Sequence, residues 1–289
     1  MKFGKVDQPE DVDFTIPLDD PETKRVLAKG KGGDLEVYVG CAKWNKTDLK
    51  GFYPKGVKDE LAYYSTQFNC IELNATFYRL FPASTFDKWR ETVPKGFKFF
   101  PKLEQSISHF RRLKEVEEIV DRNVENMSHL RETLGMPFLQ MHNNFGPKDI
   151  ERVQAFAENW KYDVPLAMEF RHTSWFNDPE VSSEVYSLLE KHDISNVLVD
   201  TAGRRDLMHM RLTTPKAFIR WVGCNDDEID HKRLEKWIER LTAWKKAGMS
   251  ELYFFVHQNE ERSSPKLSAY FIERLNKKLG TKLHIPVTP

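Results

Sequence analysis

Residues 70–78 read CIELNATFY, a short apolar run whose last members turn polar. The same habit recurs at 37–44 (VYVGCAKW), 97–104 (FKFFPKLE), 137–144 (PFLQMHNN), 166–172 (LAMEFRH), 196–200 (NVLVD), 217–221 (AFIRW) and 252–259 (LYFFVHQN). Helical-looking stretches separate most of these segments, so they read as parallel strands whose carboxyl ends converge on one polar site. That is the plan of a (β/α)8 TIM-type barrel, in which chemistry is done at the carboxyl rim of the strands.

The intervening periodicity supports this plan. Val116, Val120, Val124, Met127, Leu130 and Leu134 recur at spacings of three and four, which predicts a helix over 115–134 stopped by Gly135 and Pro137. A second helix is predicted over 231–247, with Gly248 as a left-handed cap. Further helices are expected near 58–68, 83–92, 149–160, 179–191 and 264–279. Residues 201–216 carry no helical stripe, so the sixth helix is expected to be irregular or missing. No GxGxxG turn follows any strand, which disfavours an open dinucleotide-binding sheet.

Residues 1–34 show no sustained period and read as an N-terminal arm or linker ending at Lys29-Gly30-Lys31-Gly32-Gly33, with a single barrel domain over 35–289. The glycine cluster precedes a strand, whereas a phosphate loop follows one, so it reads as a flexible linker.

Composition narrows the function classes. Forty-four Lys and Arg balance 44 Asp and Glu, so there is no general pull toward nucleic acid or membranes. Three cysteines without CxxC spacing indicate neither a disulfide framework nor a zinc knuckle. Cys41 reads as a packed thiol. With no long apolar run, a cytoplasmic location is expected.

Alternation along the strands assigns the site. Glu72, Asn74 and Thr76 are expected to share one inward face, as are Glu169 and Arg171, and Gln140 and His142. The same parity offers Lys102, Asp200, Arg220 and His257, while branched aliphatics are expected to fill the layers beneath. Glu72 and Glu169 form the carboxylate pair for acid and base roles, one held ionised by a neighbouring arginine and the other raised by an apolar setting near Trp44 or Trp175. His109, on a loop after the third strand, is a candidate for proton transfer. Trp44, Phe77, Tyr78, Trp175, Phe176 and Trp221 gather at the rim, where flat rings suit sugar or base faces or pack the loops.

The blocks ELNATFYR (72–79) and EFRHTSWF (169–176), with GCAKW (40–44), FLQMHNNF (138–145) and the segment around Lys102, His109 and Arg112, resemble the YecE-like family, the domain of unknown function numbered seventy-two. The resemblance runs over about residues 37–280 and implies a TIM-type barrel. It supplies no established reaction. Its family-like positions include Trp44, Glu72, Asn74, Thr76, Tyr78, Lys102, His109, Gln140, Glu169, Arg171, His172, Trp175 and Arg220.

The function expected from these readings is a barrel enzyme acting on a small polar, anionic or carbohydrate-like compound by carboxylate acid/base chemistry, without a cofactor. Two alternatives stand beside it. One is a non-catalytic ligand-binding or nucleic-acid-binding barrel, the nucleic-acid branch being disfavoured by the zero net charge. The other is a metal-dependent hydrolase or isomerase drawing a divalent ion to strand-end carboxylates and histidines.

Overall fold

The computed structural model describes residues 4–30 and 32–288. Strands and helices follow one another as α1 (Pro21–Leu27), β1 (Glu36–Cys41), α2 (Glu60–Gln67), β2 (Cys70–Leu73), α3 (Ala75–Tyr78), α4 (Ala83–Thr92), β3 (Lys98–Pro101) and α5 (Glu117–Ser128). They continue as β4 (Phe138–Gln140), α6 (Ile150–Glu158), β5 (Leu166–Glu169), α7 (Pro179–Lys191), β6 (Ile194–Asn196), β7 (Leu198–Thr201), β8 (Lys216–Val222), α8 (Asp227–Ala247), β9 (Glu251–His257) and α9 (Ser264–Leu279). Between β7 and β8 the chain forms only the 3-10 turn Arg205–Leu207.

Every paired strand is parallel, and the pairing falls into three sheets ordered β1-β9-β8-β7, β2-β3 and β4-β5-β6. Side chains and single bonds span the seams. Between β1 and β2 the Asn69 amide receives Val39 N at 3.0 Å and donates to Val37 O at 2.8 Å. The Tyr64 hydroxyl accepts from Cys41 N at 2.8 Å and donates to Cys70 O at 3.0 Å. Gly40 permits this approach, because a Cβ there would stand 2.3 Å from Cys70 O. Leu103 N donates to Phe138 O at 2.9 Å across the β3–β4 seam, and Val197, which separates β6 from β7, donates its N–H to Met168 O at 2.9 Å. These bonds satisfy backbone groups that a continuous ladder would otherwise take up.

One apolar cluster is built from the strands and the residues next to them: Cys70, Phe100, Met136, Phe138, Ala167, Val197, Val199, Phe218, Tyr253 and Phe255, with Tyr38 packed against it. The expected branched aliphatics are largely replaced by aromatic rings. Phe100 lies 5.0 Å from Phe255 and 4.8 Å from Tyr253, and Phe138 lies 5.4 Å from Phe218, centroid to centroid. Wide rings fill the space with fewer residues per layer. The larger core lies on the other strand face, under the helices, and includes Ile71, Phe99, Leu139, Met168, Leu198, Ile219 and Phe254.

The helix ends follow local chemistry. Asp178 caps α7 by accepting from Glu180 N and Val181 N ahead of Pro179, and Asp226 caps α8 by accepting from Ile229 N. Gly248 ends α8 at φ 112°. The helix predicted over 115–134 is shorter than its stripe: α5 stops at Ser128 and a 3-10 turn, Arg131–Thr133, carries the chain toward β4.

Residues 4–30 fold onto the body. Val26 and Leu27 are buried, the Thr23 hydroxyl donates to Met210 O at 2.8 Å, and Trp244 Nε1 donates to Asp19 at 2.9 Å. Gly30 presses on the α8 cap, where a Cβ would sit 1.8 Å from Gly248 O. That glycine therefore serves close packing. Lys31, in the middle of the expected linker, lies outside the described residues, as do residues 1–3 of the arm.

Candidate functional site

Starting from this apolar cluster, two further residues along the chain lead to the carboxyl ends of the strands on the same face. Cys70 leads to Glu72, Phe100 to Lys102, Phe138 to Gln140, Ala167 to Glu169, Phe218 to Arg220 and Phe255 to His257. These six polar side chains meet in one bonded lattice. Arg220 is its centre. Its Nε and Nη2 donate to Glu72 Oε2 and Oε1 at 2.9 and 2.7 Å, and its Nη1 donates to Glu169 Oε2 at 2.7 Å. Glu169 Oε1 accepts from Gln140 Nε2 at 2.8 Å, and Gln140 Oε1 accepts from Lys102 Nζ at 2.7 Å and Arg171 Nη1 at 3.2 Å. Asn74 Nδ2 donates to Glu72 Oε1 at 2.7 Å, and His257 Nε2 stands 3.1 Å from Glu72 Oε2.

Both carboxylates are fully buried, whereas Arg220, Arg171 and His257 keep about a tenth of their side chains in contact with solvent. Burial pushes Glu72 up, but Arg220 and His257 outweigh it and hold the carboxyl well below the usual range. Glu169 is likewise lowered, burial being overcome by Arg220 and Arg171. Neither carboxylate has the apolar setting of a general acid, because both face the same guanidinium. Lys102 moves the other way: burial and the Arg220 charge bring its amine down to about 7, against the pull of Glu169 and Glu72. Its Nζ lies 3.9 Å from the centroid of the Phe77 ring.

His109 reaches the site from a π-helical turn, Ser106–Phe110. Its ring packs edge-on against Phe77 at 4.8 Å and His142 at 5.1 Å. Burial and the neighbouring Lys102 and His142 depress it to about 4. The chain beyond it turns through left-handed backbone at Arg112 (φ 50°) and Leu113 (φ 66°), conformations that cost non-glycine residues of order 1 kcal/mol each. His142, expected to share the Gln140 face, stands in the loop after β4, where its Nδ1 accepts from Asn144 N at 3.1 Å.

Several predicted rim residues lie elsewhere. β2 ends at Leu73 and Asn74 turns helical, so Thr76 falls on α3 and not on the strand face. It is buried, with its hydroxyl 2.8 Å from Leu73 O and Lys102 O, and it anchors the loop. Asp200 points to the helix side, since its neighbours Val197 and Val199 fill the inner cluster. There it accepts from Arg233 Nη2 at 2.8 Å and Trp237 Nε1 at 2.7 Å, and it pairs with Arg205. Trp175 is fully buried, donates Nε1 to Phe145 O at 2.7 Å, and packs between Phe145 and Phe170. Trp44 packs edge-on against Trp89 and Phe99 on the helix side. His172 Nδ1 accepts from Ser174 N at 3.3 Å and stands 2.5 Å from Ser174 Oγ, capping a short turn. Tyr78 is exposed at the rim, edge-on to Phe77.

One carboxylate escaped the sequence reading. Glu261, in the loop after β9, is pushed up by burial despite His257 and accepts from the Ser264 hydroxyl at 2.8 Å. Nothing in its local pattern separates it from a surface glutamate. Among the described residues no group of three or more His, Cys, Asp and Glu converges as a metal-ion site, and no helix is long and apolar enough to cross a membrane.

Parallel strands alternating with helices, with a lattice of charged side chains at one set of strand ends, define an α/β protein of a recognisable kind. A model of the family described as "Protein of unknown function DUF72" matches residues 38–288, and the chain belongs to that family. It is 26% identical over 274 residues to the UPF0759 protein YecE of Escherichia coli K12, covering 88% of this chain and 97% of that protein. It is 30% identical to UPF0759 protein YunF of Bacillus subtilis 168 over 158 residues, covering 50% of this chain and 53% of YunF. Among solved structures, a DUF72 family protein of Thermotoga maritima MSB8 aligns with TM-score 0.69 at 26% identity, covering 83% of this chain and 99% of that one. One from Enterococcus faecalis V583 aligns with TM-score 0.67 at 18% identity, covering 86% and 98%.

Proposed function

We propose that the three parallel sheets act as one TIM-type barrel and that the chain is an enzyme for a small polar, anionic compound. The substrate is met at the carboxyl ends of the strands. Lys102 is the proton-transfer group. Glu72 and Glu169 serve as fixed anions that hold Arg220 and, through Gln140, set the position of the lysine. The observation that carries this reading is the Lys102 amine, buried between arginines and bonded to a neutral amide oxygen. A lysine tuned near neutrality by burial and like charge is suited to act as a general base or acid. His109 lies over it and remains neutral at physiological pH, so it is available as a second proton carrier. Glu261, raised by burial against the pull of His257, is the carboxylate suited to the acid role.

The engagement of the Glu72 and Glu169 oxygens by Arg220, Asn74 and Gln140 favours a second reading, in which the lattice is a static plug beneath a binding surface. Turnover separates the two. A panel of small anionic compounds incubated in D2O and followed by proton NMR is expected to yield one that exchanges or converts, with a rate that rises with pH through about 7 as Lys102 loses its proton. Lys102→Arg, which keeps the charge but cannot lose it, is expected to abolish that activity. Activity that survives in this variant refutes the role given to Lys102.

A further inference from the structure

The two carboxylates at the strand ends are matched by two arginines, which leaves Lys102, His109 and His142 over. Glu72 and Glu169 are met by Arg220 and Arg171 through pairs at 2.7, 2.7 and 3.4 Å. Lys102, His109 and His142 make no ion pair with a carboxylate among the described residues. The hydrogen-bond acceptor of Lys102 is the Gln140 amide oxygen, which it shares with Arg171, so an amine and a guanidinium converge on one neutral atom. His109 packs on the same Phe77 ring as the Lys102 amine and meets the His142 ring edge to face at 5.1 Å. The bond from Asn144 N to His142 Nδ1 fixes the other ring nitrogen, Nε2, as a donor. Arg112, in the left-handed turn beyond His109, adds its charge beside His142.

We propose that Lys102, Arg171, His109 and His142 form a subsite for a tetrahedral dianion of the phosphate class, and that the anion draws a proton into the site as it binds. The proposal rests on the placement of the site given above and deepens it by naming the ligand's charged group. Its physical basis is that two arginines already neutralise two carboxylates. An arriving dianion must therefore be balanced by groups that are neutral without it, and the nearest are Lys102 and His109. Lys102 faces Glu72, Glu169, Arg220 and Arg171, and His109 faces Lys102, His142, Arg171 and Glu169. Burial, with like-charge crowding added to it, lowers both groups, and a bound dianion offsets that penalty by favouring their charged forms.

Sulfate is the cleanest probe, because it carries two charges at every pH used. Titration calorimetry at constant ionic strength, with chloride as the control anion, is expected to show sulfate binding whose Kd weakens about tenfold per pH unit between pH 7.5 and 9, the slope of one linked proton. Lys102→Arg is expected to keep the binding and flatten that slope, and His142→Gln to weaken Kd severalfold while leaving the slope. Glycerol 3-phosphate binding more tightly than inorganic phosphate identifies the source as a phosphate ester, whereas equal binding identifies it as the free anion. Sulfate binding no tighter than chloride, or a slope unchanged in Lys102→Arg, overturns the proposal. None of these readouts needs turnover. A protein that binds sulfate in this way yet converts nothing defeats the enzyme reading and leaves the subsite standing.

Discussion

Replacing Arg220 with methionine removes the three charge-assisted bonds that hold two fully buried carboxylates, at 2.9, 2.7 and 2.7 Å. Breaking a buried pair by removing one partner costs about 3–5 kcal/mol, because the remaining charge stays out of water. For a domain of this size each kcal/mol corresponds to about 2–4 °C, so the melting temperature at pH 8 is expected to fall by about 6–20 °C. The lower half of that range is favoured, since Lys102 is held down partly by Arg220 and takes up a proton once that charge is gone. The pH dependence gives the sharper test. In the unaltered protein Glu72 and Glu169 titrate below their ordinary value, so their contribution is present above that value and is lost as pH falls through the depressed ones. Without Arg220, burial dominates and raises both, so their contribution is present at low pH and is lost as pH rises through the raised values. The deficit of Arg220→Met should therefore shrink steadily from pH 8 to pH 5, measured by circular dichroism melts. A loss near 1 kcal/mol that stays level over this range would mean that both carboxylates reach water, and the reasoning about the lattice would fail.

Two further outcomes follow from single contacts. Lys102→Met is expected to raise the melting temperature at pH 6, with a gain that shrinks steadily as pH rises from 7 toward 10.5. The folded amine titrates near 7, below its ordinary value of 10.5, so between these values the unfolded chain binds more protons and stability climbs with pH, a slope the substitution removes. Gly40→Ala places a methyl 2.3 Å from Cys70 O and must part β1 from β2; it should cost about 1–3 kcal/mol, read as a lower urea midpoint.

The alternation of apolar and polar residues located six of the strand-end side chains, because each follows an inward apolar residue two places earlier. Glu72, Lys102, Gln140, Glu169, Arg220 and His257 were legible for that reason. The residue types beneath them were not, since aliphatic and aromatic residues satisfy the same pattern and only packing in three dimensions selects the rings of Phe100, Phe138, Phe218 and Phe255. The roles within the lattice were also hidden. A glutamate becomes an acid or a fixed anion according to what faces it, and Arg220 is 148 residues from Glu72 along the chain. Thr76 misled because nothing in LNATF announces that the chain turns helical at Asn74.

Asp200 shows where strand parity itself fails. A strand buried on both faces reads as a continuous apolar run, so the segment NVLVD has no polar alternate to say which side is inward. Val197 and Val199 take the inner side and Leu198 the helix side, leaving the aspartate outward, where a lone carboxylate would be costly. It is tolerated because α8 brings Arg233 and Trp237 within 2.8 Å of its oxygens, and Arg233 in turn pairs with Asp230 at 3.0 Å. The helix predicted over 231–247 thus already contained the partner, since Arg233 is buried on α8 with Leu234, Trp237, Ile238 and Leu241. A tryptophan and an arginine spaced four apart on a buried helix face, opposite a strand with one acid, is a pattern in which the acid belongs to the helix and not to the site. Applied to the other strands, the same test leaves Glu72 and Glu169 in the strand-end lattice, because the guanidinium that binds them is itself on a strand.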